Sequence, residues 1–264
     1  MPRIVRILLT GFSFAFFSVG SGVLAFVLLP LARLGAPSPS EARRRAQRLV
    51  SRGFRLFMGL LDLLGLARVQ LTGSVAARPE GAFVLIANHP CLLDVITLLG
   101  QVEGTACIVK HGVARSPFVG RVAAALGYLP APDPEADPTV TPQVLDLLVE
   151  RLQQDEPVLV FPEGTRSPRW GLNRFRRGAA EAALQAEVPV WPVFITASEP
   201  TLMSGQRWWD VPERTLILTV DFGEPFFVPP ETGSRKLTRE VQDGYKRRIA
   251  AAKTREGLVG EEAV

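Results

Sequence analysis

FVLIANHPCLLD, residues 83–94, decides how this chain folds. FVLIA is a short, continuous apolar run with β-branched members, the pattern of a strand buried on both faces. It passes directly into Asn88-His89-Pro90, and Pro90 suits the first turn of a helix. A strand, a tight junction and a helix form the repeating unit of an α/β domain. Similar runs recur as TACIV (105–109), PVLVF (157–161), VPVWPVFI (188–195) and TLILTVDF (215–222). Helix-like stretches at 92–101, 117–127, 141–154 and 177–186 lie between several of them, and a charged amphipathic helix over 236–256 closes the domain. The expectation is an α/β fold with a mixed central sheet covered by helices. Residues 130–138, PAPDPEADP, read as a loop.

The same stretch carries chemistry. His89 is one of two histidines in the chain, and it falls at a strand-to-helix junction, where α/β proteins place ligands. On a continuous helix, His89 and Asp94 would be about 140° apart and would not share a face. With His89 just before the helix, its ring can fold back so that Asp94 accepts from Nδ1–H. That fixes the tautomer and leaves Nε2 as a general base. A second candidate, FPEGTRS (161–167), also follows an apolar run; its Arg166 can hold a phosphate or carboxylate through two parallel hydrogen bonds. Cys91 and Cys107 are too few for a disulfide framework, and nothing matches a Cys/His zinc spacing. Metal: none expected.

Charge and greasiness are unevenly spread over the 264 residues. Residues 1–55 carry nine arginines against Glu41 alone, a net +8; the other 209 residues carry 21 cations against 25 acids, a net −4. A nucleic-acid binder would show its basic surface on the folded body. Here the arginines flank Ile7–Ala32, 26 residues without a charge, which argues for anionic lipid. The expectation is a retained N-terminal membrane-embedded helical segment, which Gly20, Ser21 and Gly22 allow to pack closely or to break into a re-entrant turn. Seven arginines follow it and two precede it, placing the following domain on the cytoplasmic side of the inner membrane. Residues 1–34 are the expected anchor. Residues 35–66 are a linker and a basic amphipathic helix, capped by Ser40 and lying in the membrane interface. Residues 67–256 are the α/β domain, and 257–264 a frayed tail.

Taken together, NHPCLLD and FPEGTRS resemble the first and third sequence blocks of the glycerophospholipid acyltransferases, the PlsC-type 1-acylglycerol-3-phosphate acyltransferase family. VPVWPVFI looks like that family's fourth block, with Pro189 matching its proline, so the resemblance covers roughly residues 65–225. It implies acyl transfer to the hydroxyl of a lysolipid, with acyl-ACP (acyl-carrier protein) or acyl-CoA (coenzyme A) as co-substrate and no other cofactor. It assigns His89 as catalytic base and Asp94 as its partner. Asn88, Glu163, Gly164, Thr165 and Arg166 fall in blocks that it assigns to substrate binding. The family's second block ends in an arginine that helps to bind the acceptor's phosphate; Asp133 stands at that place here. Either Lys110, Arg115 or Arg121 supplies the charge, or the acceptor is a lyso-aminolipid such as a lyso-ornithine lipid. The other readings weighed are a metal-dependent hydrolase using His89, Asp94 and Glu163, and a non-catalytic lipid-binding protein. The expected partners are the lipid bilayer, a lysolipid and the acyl thioester; nucleic acid is not among them.

Overall fold

The computed structural model describes residues 1–131, 140–203 and 205–255. Asp133 and the expected tail at 257–264 lie outside the described residues, as does most of the loop expected at 130–138. Helix α1 (Arg3–Val23) runs through a π-helical turn at Leu24–Leu28 into α2 (Leu29–Arg33). Next come α3 (Pro39–Leu63), β1 (Ala67–Gly73), β2 (Val84–Ala87), α4 (Leu93–Gln101), β3 (Ala106–Val109), α5 (His111–Ala114) and α6 (Val119–Ala125). After β4 (Leu129–Pro130) follow α7 (Val140–Gln153), β5 (Val158–Val160), α8 (Gly178–Gln185), β6 (Val190–Ala197), β7 (Leu216–Phe222) and α9 (Ser234–Arg255).

The seven strands form one sheet in the order β1-β7-β6-β2-β5-β3-β4. Among the described strands, β6 and β7 pair antiparallel and the other neighbours are parallel. The sheet is therefore mixed, and helices cover both faces. Leu85 and Ala87 of β2 enter a core with Phe57, Leu61 and Leu98 of the α3–α4 layer. Val84 and Ile86 point the other way, into a core with Leu148, Leu152 and the alanines of α8. Burial on both faces explains why these strands read as unbroken apolar runs.

Topology then positions the site. β2 and β5 are direct parallel neighbours, with Val84 opposite Val158 and Ile86 opposite Val160. The segments that leave them, 88–92 and 161–167, thus emerge side by side at the same edge of the sheet. Because β7 runs against β6, the chain also enters β7 and β1 from that edge.

The N-terminal region excludes one of the alternatives held for Gly20–Gly22 and differs from expectation at the cap and the apolar face of α3. The helical run does not break at Gly20–Gly22; its irregularity is the π turn just before Pro30, whose ring lacks an N–H and crowds the preceding turn. Ser38, not Ser40, caps α3: its hydroxyl accepts from the Glu41 N–H, with Pro39 at the first helical position. Most of the apolar face of α3 is turned onto the body, while Leu56 and Leu63 stay exposed. Phe57, Met58 and Leu61 are buried, and Phe54 lies so close to Gly100 of α4 that a Cβ there would be 3.4 Å away. Arg43 donates to both oxygens of Glu156, at 2.7 and 2.8 Å, tying α3 to the start of β5. By contrast, the run Arg3–Arg33 is mostly uncovered, with 17% of its most apolar stretch buried, and it is long and apolar enough to cross a membrane.

Candidate active site

Asn88 and His89 continue from β2 without regular structure, and α4 begins at Leu93. His89 is thus outside the helix and Asp94 in its first turn, the arrangement that lets the two meet. His89 Nδ1 lies 3.0 Å from Asp94 Oδ2. The same Oδ2 accepts the Cys91 backbone N–H at 2.8 Å, and Oδ1 accepts the Cys91 S–H at 3.0 Å. Asp94 is fully buried, whereas the His89 side chain keeps 15% of its surface open. The buried carboxylate therefore receives Nδ1–H and leaves Nε2 as the outward nitrogen. The imidazole is stacked on Phe161, ring centres 4.3 Å apart, which restrains its rotation. Burial, followed by the neighbouring Asp94 charge, pushes the Cys91 thiol well up, so Cys91 serves as a neutral donor to Asp94 and not as a nucleophile.

The FPEGTRS turn is built around Glu163, which is buried. Its Oε1 accepts from the Ser167 hydroxyl and from the His89 backbone N–H, the latter at 3.2 Å. Its Oε2 accepts the Asn173 backbone N–H at 2.7 Å and side-chain N–H at 3.0 Å. The Ser167 N–H in turn donates to the His89 carbonyl at 2.7 Å. Glu163 is thus a buried carboxylate whose two oxygens both accept from the protein, and it fixes the His89 backbone. His89, Asp94 and Glu163 do not converge as a ligand set, because Glu163 meets His89 only at the main chain. Asn88 has a similar part. Its amide donates to the Ile195 carbonyl at 2.8 Å and accepts the Ile195 N–H at 2.7 Å, locking the end of β2 to β6.

Gly164 and Thr165 are exposed at the turn's tip. Gly164 adopts φ +67°, and a Cβ there would lie 3.1 Å from the Arg176 guanidinium carbon, so only glycine lets Arg176 lie across the turn. Arg166 uses Nη1 on the carbonyls of Leu202 (2.5 Å) and Met203 (3.1 Å). The two more distant cations are both exposed: Lys110 precedes α5, and Arg121 on α6 lies over the ring of Phe26, 4.9 Å from its centre. Residues that only the three-dimensional arrangement reveals are Phe161 under the imidazole, Ser167 and Asn173 around Glu163, and the 199–203 segment under Arg166. A buried-polar partner for Glu163 could have been sought ten residues on, but Asn173 lies in an irregular stretch with no periodicity to mark it.

Two cavities flank the 88–94 segment. A crevice of about 460 Å³ touches Asn88, Pro90, Cys91 and Ser167. An apolar groove of about 770 Å³ runs beneath α1, between Leu92, Leu93 and Ile96 beside Asp94 and Phe14 and Phe17 of α1.

A family model described as Acyltransferase matches residues 68–196. A chloroplastic 1-acyl-sn-glycerol-3-phosphate acyltransferase of Brassica napus is 30% identical over 47% of this chain and 36% of its own length. A 1-acyl-sn-glycerol-3-phosphate acyltransferase of Pseudomonas aeruginosa is 28% identical over 71% of this chain and 66% of its own. The chain spans less than two thirds of either relative. In fold it is similar to the crystal structure of the 1-acyl-sn-glycerophosphate (LPA) acyltransferase PlsC from Thermotoga maritima, with a TM-score of 0.74 at 23% identity, over 96% of this chain and 98% of the other.

Proposed function

This chain belongs to the acyltransferase family, and from that premise we propose that it moves a fatty acyl group from a thioester to the free hydroxyl of a lysophospholipid of the lysophosphatidic acid type. The observation that carries the reading is the His89–Asp94 pair, with Nδ1 held at 3.0 Å by a buried carboxylate and Nε2 facing outward. Nε2 takes the hydroxyl proton as the acceptor oxygen attacks the thioester carbon. The imidazolium so formed is stabilised by Asp94. The carbon–sulfur bond then breaks, and the leaving thiolate recovers the proton from His89. The donor is the thioester of acyl-carrier protein or coenzyme A.

Three further features support the assignment of substrate regions. The groove beside Leu92, Leu93 and Ile96 has the apolar lining that a fatty chain requires. The Gly164–Thr165 tip, crossed by the exposed Arg176, suits an anionic headgroup. The uncovered apolar run of Arg3–Arg33 holds the enzyme in the bilayer, with the α/β domain on the cytoplasmic face. Purified protein given a labelled acyl thioester and lysophosphatidic acid is expected to form the diacyl product. His89→Ala is expected to lose about 10²- to 10⁴-fold in kcat, the usual contribution of a general base, with its melting temperature unchanged. No transfer by the wild type, or His89→Ala retaining more than about a tenth of kcat, overturns the proposal.

A further inference from the structure

Positive charge on the folded body is gathered in two stretches. Residues 164–180 hold five arginines and no acid, and α9 holds eight cations against two acids, so together they carry +11. The rest of residues 56–264 holds eight cations and 23 acids, a net −15. The fold sets the two basic stretches side by side. Gln242 of α9 donates to the Asn173 carbonyl at 3.2 Å, Tyr245 packs edge-on against Phe175 with ring centres 5.5 Å apart, and Ser234 at the start of α9 donates to Glu181 of α8. The Arg176 N–H donates to the Pro162 carbonyl at 2.8 Å, which ties the same loop to the FPEGTRS turn beside His89.

Helix stability does not account for these positions. Arg235 and Lys236 lie in the first turn of α9, which has no acid, where the positive end of the helix dipole disfavours cations. Arg235 and Arg239 are also a like-charge pair at i,i+4, which destabilises a helix. Lys236, Lys246 and Arg248 make the ion pairs of α9. Arg174, Arg177, Arg235 and Arg239 are exposed, and among the described residues none of the four lies within ion-pair distance of a carboxylate. Local rules broken without a gain to the fold mark a working surface.

The place and shape of this surface select its partner. Leu9 and Phe17 of α1 pack on the sheet face that carries Leu85 and Ala87, whereas Leu237 and Val241 of α9 pack on the opposite face, with Val84 and Ile86. The basic helix is thus separated by the sheet from the membrane anchor. A small anionic ligand is held in a concavity. These arginines instead stand on the outside of a helix about 33 Å long. An exposed, extended cationic face of this kind complements an acidic protein surface.

We propose that α9 and the 173–177 loop form a docking surface for the acidic acyl-carrier protein, which delivers its thioester from the side of the sheet opposite the membrane anchor. The naming of the carrier rests on the acyltransferase reading above; the existence of a surface for an acidic protein does not.

The test compares the full-length enzyme with Arg235→Glu/Arg239→Glu, a change that suits a helix N-terminus. One acyl chain is supplied either on acyl-carrier protein or on coenzyme A. The variant is expected to raise KM for the carrier donor about tenfold, through two reversed surface charges, and to leave kcat and the KM for the coenzyme A donor within about twofold. Independently of catalysis, carrier protein without an acyl chain is titrated against each enzyme in detergent. Binding to the wild type is expected to weaken as salt rises, and the variant to bind about tenfold more weakly at low salt. An equal rise in KM for both donors, or no rise for the carrier donor, overturns the proposal. So does a variant that binds the carrier normally but loses affinity for phosphatidylglycerol vesicles, which would make the surface a lipid contact. Should the wild type transfer no acyl group from either donor, the acyltransferase reading fails while the titration still decides the docking surface. If Arg235→Glu/Arg239→Glu does not fold, Arg174→Gln/Arg177→Gln takes its place in both measurements.

Discussion

Replacing Asp94 by asparagine separates the charge of this carboxylate from its geometry. Oδ2 accepts two hydrogen bonds, from His89 Nδ1–H at 3.0 Å and from the Cys91 backbone N–H at 2.8 Å, while Oδ1 faces the Cys91 sulfur at 3.0 Å. A backbone N–H can only donate. In Asp94→Asn the amide oxygen must therefore take the place of Oδ2, and the NH₂ group turns to sulfur, a weak acceptor. His89 then keeps its proton on Nδ1, and Nε2 keeps its lone pair. What disappears is the negative charge beside the imidazolium of the transition state. Two unit charges 4 Å apart at an effective dielectric of 20 interact by about 4 kcal/mol, or roughly a thousandfold in rate. The loss is expected in kcat with KM little changed, because the charged pair forms only as the reaction proceeds. Asp94→Ala also removes a hydrogen bond to the ring, of about 0.5–1.5 kcal/mol, so it is expected to be slower again by roughly two- to tenfold. Initial rates of acyl transfer from a labelled thioester to lysophosphatidic acid measure all three proteins. An asparagine variant within tenfold of wild type refutes the electrostatic argument. An asparagine variant as slow as the alanine one refutes the claim that the Cys91 N–H preserves the tautomer.

Glu163→Gln sets an NH₂ group against at least one backbone N–H whichever way the amide turns, that of His89 on one side or that of Asn173 on the other. A loss of about 3 kcal/mol is expected from bonds to a charged group, read as a lower urea midpoint; an unchanged midpoint refutes the scaffold role. Because burial raises the thiols of both Cys91 and Cys107, neither is expected to react with iodoacetamide at pH 8 in the native protein, and both after unfolding, as read by mass spectrometry. Alkylation of Cys91 in the folded enzyme would contradict its burial. Attachment to membranes through Arg3–Arg33 is expected to survive high salt, since buried apolar surface is not screened; release by salt alone would mean a purely electrostatic contact.

What the sequence disclosed, and what it withheld, follows from how local each interaction is. FVLIA, PVLVF and their kin were legible because strands buried on both faces must be apolar throughout. The edge strand Ala67–Gly73 escaped notice because most of its residues are exposed, so ARVQLTG carries no burial signal, and Leu129–Pro130 is too short to leave a pattern. The apolar face of α3 was visible, but periodicity says only that a face is covered, not by what. The covering turned out to be α4 and the sheet's own core.

The site divides along the same line. His89 and Asp94 are five residues apart, so their meeting could be worked out from the place where the helix starts. Nothing local says that β5 enters the sheet beside β2, which is what brings Glu163 to the His89 backbone. Residue type is a poor guide once that happens. Asn88, Glu163 and Arg166 are among the polar residues expected to face a substrate, yet each has bonds to the protein itself: to β6, to the His89 loop and Asn173, and to the 199–203 segment. A parallel sheet edge leaves the ends of its strands with peptide groups that lack ladder partners, and those groups must be satisfied where water is scarce. Polar side chains at such junctions are therefore drawn first to the backbone. The reacting atoms are left to the few groups, such as His89 Nε2, whose neighbours already hold the rest of the side chain.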